Sequence, residues 1–108
     1  MLATLKEVLQ AAEDKKIAIG AFDAPNLESL CVAIAAAEEV ELPTIIMHAQ
    51  CHESLCPLDV IGPIIVEHAK KAKVPVCVML DHGEDLDYLK RSLEMGFTAV
   101  MYDGSTTP

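Results

Sequence analysis

Apolar positions along the chain fall into four short runs separated by stretches of helical spacing. "IAIGAF" (17–22), "PTIIMH" (43–48), "VPVCVML" (74–80) and "FTAVMYD" (97–103) are nearly continuous apolar segments of strand length. Such runs suit strands covered on both faces, as in a parallel sheet, because a solvated face would impose alternation. Between them, Leu27, Leu30, Cys31, Ile34 and Ala35 recur at i, i+3, i+4, i+7 and i+8, which marks one face of a helix. Leu58, Ile61, Ile65, Ala69 and Ala72 do so more loosely, and Gly62-Pro63 predicts a break or restart within that segment. Leu86, Leu89 and Leu93 form a third stripe, closed by Gly96 as a C-terminal cap. Ahead of the first run, Thr4-Leu5-Lys6-Glu7 is a capping-box pattern that opens a helix with Leu5, Val8, Leu9 and Ala12 on one face.

The predicted order is therefore α-β-α-β-α-β-α-β, an α/β arrangement with strands recurring at roughly the length of one βα unit, about 25–30 residues. A doubly wound sheet and a TIM barrel both fit this rhythm. A complete TIM barrel takes about 250 residues, so in 108 residues a barrel would be represented by its opening helix and about four βα units. The whole of 1–108 is expected to be one partial domain, with no second domain.

Composition narrows the classes. The 52% apolar and 23% charged content is that of a globular chain. The apolar runs are far short of the ~20 residues that a membrane-spanning helix needs. A net charge of −9 argues against a nucleic-acid partner, which is bound through an excess of Lys and Arg. It leaves room for a small phosphorylated ligand held by backbone N–H groups and one or two local cations. Residues 2–12 carry Lys6 and Glu7 and do not resemble a secretory leader, so a cytoplasmic location is expected. The four cysteines form no CxxC pair, which fits reduced thiols; Cys31 and Cys77 lie in apolar patterns and are expected to be buried.

Three places carry candidate chemistry. Asp81-His82-Gly83 ends the third run, and strand C-termini line the ligand site of βα folds. A carboxylate there can move a proton and an adjacent imidazole can bind a metal. The same letters also suit a plain strand-to-loop turn, with the aspartate capping the next helix and the glycine supplying positive φ. Asp103-Gly104-Ser105 sits in the matching place after the fourth run and could hold a cation or offer backbone donors. "HAQCHESLC" (48–56) has zinc-binding residue types, but its spacing matches no common structural zinc pattern, and a loop with His48 at its mouth is the plainer expectation. His68 is expected to be a surface histidine. In "GAFDAPNLE" (20–28), Asp23 and Asn26 could cap the following helix or contact a ligand.

"GAFDAPNLE", "VPVCVMLDHGEDL" (74–86) and "GFTAVMYDGS" (96–105), in this order and at these intervals, resemble the N-terminal part of the class II, zinc-dependent ketose-bisphosphate aldolases, including fructose- and tagatose-1,6-bisphosphate aldolases. The resemblance covers essentially the whole chain. It implies the N-terminal half of a TIM (β/α)8 barrel, a dimeric or tetrameric assembly, a zinc cofactor and a monovalent cation. It also implies aldol cleavage of a ketose 1,6-bisphosphate to dihydroxyacetone phosphate and glyceraldehyde 3-phosphate. By the same resemblance Asp81 is the acid/base, His82 a metal ligand and Asp103 an acidic residue near the metal, while Asp23, Gln50 and Ser105 fall at substrate-binding positions. Zinc would act as a Lewis acid on the enediolate charge. Asn often stands at the position of Asp23 and His at that of Met79, and a serine-containing loop often replaces His48-Ala49-Gln50. Two other readings remain open at this point: a self-assembling half-barrel without catalysis, and a βα protein that binds sugar phosphates without turning them over.

Overall fold

The computed structural model describes residues 1–108. A two-residue strand β1 (Leu2–Ala3) precedes helix α1 (Leu5–Lys15); β2 (Ala21–Asp23), α2 (Leu27–Val40), β3 (Thr44–Ala49), a 3₁₀ turn (Gln50–His52), α3 (Leu58–Lys71), β4 (Val76–Gly83), α4 (Leu86–Glu94) and β5 (Ala99–Tyr102) follow. All pairings are parallel. β2, β3, β4 and β5 lie side by side in chain order, and β1 pairs with the start of β4 on the edge that β5 uses further along. Parallel neighbours taken in sequence, each joined by a helix, form the half-barrel of the predicted α/β class.

Local chemistry explains the elements. Thr4 caps α1, its hydroxyl accepting from Glu7 N at 3.1 Å while the Glu7 carboxylate accepts from Thr4 N at 3.0 Å. Asn26 caps α2 by accepting from Ser29 N at 2.8 Å, and Asp85 caps α4 by accepting from Asp87 N at 3.0 Å. Gly96, at φ 110°, supplies the left-handed turn that ends α4.

The sheet has two differently used faces. Ile46, Val76, Val78 and Leu80 point outward into a core shared with Leu30, Ile34, Leu58, Ile65 and Leu89 of the covering helices. Ile45, Cys77 and Ala99 point the other way, with Met47 and Met79 beside them and Val8 of α1 packed against them. Period two then sends Ala49 and Asp81 to this inner face at the C-terminal end.

Several expectations are corrected. Residues 17–20 precede the strand rather than open it, and β1 was not anticipated, since two residues carry no period. α3 runs unbroken through Pro63. Its buried Leu58, Ile61, Ile65 and Val66 contribute on the order of 6–12 kcal/mol, against about 3 kcal/mol for an interior proline. On α1, Val8 and Ala12 are buried but Leu9 is exposed, at the margin of the packed face. On α4 the packed stripe is Tyr88, Leu89 and Ser92, while Leu86 is 73% exposed and Leu93 50%. The helix is rotated by roughly a quarter turn from the leucine stripe, because Tyr88 is drawn to a polar partner on β3 and Gly83 admits Leu89 closely. A Cβ on Gly83 would lie 2.9 Å from Leu80 Cδ2 and 3.1 Å from Leu89 Cγ. Cys31 is exposed on the outer side of α2, whereas Cys77 is buried as expected. His48 is fully buried under α4, not at the mouth of a loop.

Two substitutions test the rotation of α4. Leu89→Ala is expected to cost about 2–5 kcal/mol, read as a shift in denaturant midpoint at constant m-value. Leu86→Ala is expected to stay within about 0.5 kcal/mol; equal losses at both positions would restore the leucine stripe.

Candidate active site

The C-terminal ends of β2, β4 and β5 bring Asp23, Asp81, His82 and Asp103 to one rim. Register opposes Asp81 to Ala49 and Asp23 to Met47. Between β4 and β5 the ladder slips: Leu80 pairs with Val100, but Gly83 pairs with Tyr102, so β4 carries one extra residue. A bulge of this kind re-aims a side chain and tightens local twist. Here the residue that takes the left-handed conformation is His82, at φ 49°, and not the neighbouring glycine. An L-residue in that region costs about 1–2 kcal/mol, so the surroundings must hold it.

They do so from both sides. His82 Nδ1 meets Asp103 Oδ2 at 2.8 Å, and Asp103 N donates to Gly83 O at 2.8 Å across the strand gap. His82 Nε2 faces Asp81 Oδ1 at 3.8 Å, with the imidazole about half exposed. The hydrogen bond to Asp103 and the nearby charge of Asp81 raise the His82 pKa above its ordinary value. Asp103 also accepts from Ser105 N at 2.9 Å, and its bonds to Ser105 and His82 bring its carboxyl down to about 2. Asp23 is shifted the other way, raised by burial and then by the neighbouring Asp81 charge.

The arrangement suits a metal in part. A histidine whose Nδ1 is held by a carboxylate presents Nε2 as a ligand in fixed tautomer and orientation, and that is the state of His82 with Asp103. Asp81 is the carboxylate beside Nε2, at 3.8 Å. A catalytic zinc normally takes three protein ligands, and no group of three His, Cys, Asp or Glu side chains converges in this chain. "HAQCHESLC" in particular forms no metal cluster: His48 is buried beneath Tyr88 while Cys51 is exposed.

Of the remaining sequence candidates, Gln50 opens the 3₁₀ turn, and its Oε1 accepts from Glu84 N at 2.8 Å and Asp85 N at 3.3 Å, tying that turn to the loop after β4. Ser105 is the partner of Asp103 described above. Asn26 serves as a helix cap, as one of the two expectations for it held. His68 is half-buried, its Nδ1 on Ile64 O at 2.9 Å. Sequence reasoning missed Tyr88 and counted Glu53 only among the zinc-type residues of 48–56; the two bond to each other at 2.6 Å beneath the rim.

Residues 3–108 match the family model described as fructose-bisphosphate aldolase class-II. The chain belongs to the class II fructose-bisphosphate aldolase family. Among its aldolase relatives, a 6-phospho-5-dehydro-2-deoxy-D-gluconate aldolase of Halalkalibacterium halodurans is 32% identical over 99% of this chain and 38% of its own length. A sulfofructosephosphate aldolase of Alkalicoccus urumqiensis is 34% identical over 93% of this chain and 35% of its own. In three dimensions, the YdjI aldolase of Escherichia coli K12 superposes on the whole chain with a TM-score of 0.92 at 30% identity, using 42% of that structure. The aldolase segment seen here thus spans somewhat over a third of the length of the curated relatives it matches. Class II aldolases generally use a divalent metal.

The coupling between imidazole and carboxylate has a sign. A raised His82 pKa stabilises the fold below the histidine's ordinary 6.5 and the effect is lost as pH rises through the folded value. The lowered Asp103 pKa stabilises above 3.8 and the effect is lost as pH falls toward about 2. Asp103→Asn is expected to lower the His82 pKa, followed by NMR titration of the ring; an unchanged pKa would mean the 2.8 Å contact does not persist in solution.

Proposed function

We propose that this chain carries the acid/base and part of the metal site of a class II aldolase that cleaves a ketose 1,6-bisphosphate, reversibly, to dihydroxyacetone phosphate and glyceraldehyde 3-phosphate. The observation that supports this most directly is His82, lifted by the β4 bulge, its Nδ1 on Asp103 and its Nε2 beside Asp81. The names of the relatives, all aldolases and several of phosphorylated sugars or sugar acids, support a phosphorylated substrate.

His82 would be the ligand this segment contributes to a divalent cation, with Asp103 accepting from Nδ1–H so that the Nε2 lone pair is available. A bound zinc ion would polarise the ketose carbonyl and offset the negative charge that develops as the C–C bond breaks. Asp81, ionised, takes the proton from the hydroxyl beside that bond in cleavage and returns it in condensation. Asp23, its pKa raised by burial and by the neighbouring Asp81 charge, falls at a substrate-binding position on the same rim. Gln50 keeps its Oε1 on the loop and has its –NH₂ to offer. In the turn after β5 the Gly104 amide can meet an oxyanion, while Ser105 N is held by Asp103. The monovalent cation and the dimeric or tetrameric assembly rest on the resemblance, and a cytoplasmic location on the composition of residues 2–12 and the unpaired cysteine pattern. No helix is long and apolar enough to cross a membrane.

The test is made in a polypeptide that completes the barrel. Chelation with EDTA is expected to abolish cleavage and zinc to restore it, and chelator-resistant turnover would overturn the mechanism. Asp81→Asn is expected to lower kcat by about 10²–10⁴-fold with metal content unchanged, whereas His82→Ala loses the metal itself.

A further inference from the structure

Beneath the rim, on the outer face of the sheet, lies a polar cluster that the proposed chemistry does not use. His48 of β3 is 0% exposed, and its Nε2 lies 3.1 Å from the Tyr88 hydroxyl of α4. That hydroxyl donates to Glu53 Oε1 at 2.6 Å, and the same oxygen accepts from Leu58 N at 2.9 Å. Glu53 thereby closes the first turn of α3, whose N-cap is Pro57 and has no side chain to do so. On its solvent side the Tyr88 ring is covered by Arg91, 5.3 Å from the centroid, which pairs with Asp59 of α3 at 2.6 Å.

The protons in this cluster have one consistent order. Glu53 is an ionised acceptor, its pKa lowered by the bonds from Leu58 and Tyr88. The phenol proton therefore goes to Glu53, and the phenol oxygen must accept from His48 Nε2–H. His48 is then the neutral Nε2–H tautomer, in agreement with burial lowering its pKa. Its Nδ1 is left as a bare buried acceptor with no partner.

Connectivity gives the cluster its consequence. His48 and Glu53 flank the turn that begins at Gln50, so one phenol clamps that turn from both ends. Gln50 in turn holds the amides of Glu84 and Asp85, the two residues after the His82–Gly83 bulge. From there the chain enters α4 and returns to Tyr88 within four residues, closing a ring of bonds around the loop. The strained backbone of His82 has this ring on one side and Asp103 on the other.

We propose that Tyr88, His48 and Glu53 are positioning residues, which hold the Asp81–His82 rim in place by locking Gln50 onto the loop after β4. Their relevance to catalysis rests on the aldolase reading above, but the lock itself is testable without turnover. In the 108-residue chain, Tyr88→Phe is expected to speed amide hydrogen exchange at Glu84 and Asp85 at least about fivefold, the loss of one ordinary hydrogen bond, with Val78 and Leu80 in β4 unchanged. Glu53→Gln retains an oxygen that can accept from both Tyr88 and Leu58 and is expected to leave exchange as it was, while Glu53→Ala behaves like Tyr88→Phe. Should a variant fail to fold, ¹⁵N NMR of the unaltered chain reads the His48 tautomer directly. Exchange at Glu84 and Asp85 that does not change, or that rises in step with Val78 and Leu80, overturns the proposal. So does a His48 protonated on Nδ1.

Discussion

One extra residue in β4 sets the geometry of the candidate site. Without the slip between Leu80 and Gly83, strict alternation would turn His82 outward, toward the helices, while Asp81 pointed inward. The left-handed turn at His82 breaks that alternation, and two adjacent residues come to share the rim. Such a conformation is tolerable because Asp103 fixes the ring, the Asp103 amide fixes Gly83, and Gln50 fixes the two amides that follow. Strain of about 1–3 kcal/mol at such positions persists only where neighbours over-determine it, and here bonds from Asp103, just past β5, and from Gln50, in the turn after β3, converge on it.

The two faces of the sheet divide the labour. The outer face is dry and closely packed, with Ile46, Val76, Val78 and Leu80 against three helices, and it supplies most of the driving force for folding. The inner face is smaller, closed by Val8 of α1, and its Met47 and Met79 form an apolar floor below Asp81. Asp23, on the same rim, feels both burial and the Asp81 charge, and these raise its pKa. His48, Tyr88 and Glu53 are the exception on the outer face, a polar seam within the helix-covered layer. Its placement directly behind the rim is what makes it of interest.

Much of the fold was legible from local signals. Thr4 with Glu7, Asn26 and Gly96 set helix ends through bonds within a few residues of each other, and the four apolar runs found their strands to within a few positions. Asp81, His82 and Asp103 could be picked out together because equivalent ends of adjacent parallel strands meet by construction. What eluded local reading involved partners far apart. Tyr88 finds His48 across 40 residues and Glu53 across 35, which no spacing rule links. Pro63 looked like a break because its cost is local, whereas the burial that outweighs it is spread over the whole of α3.

The sequence by itself determined the α/β order, the helix ends, the family and which candidate residues stand at the strand ends, because capping, periodicity and strand-end placement depend on near neighbours. Only the tertiary structure decided which face of α4 is buried, that Cys31 lies outside and His48 inside, and that His82 rather than Gly83 takes the left-handed turn. These are outcomes of competition between elements distant in the chain, where the close approach of Leu89 to Gly83 and a single inserted residue in β4 outweigh local preference.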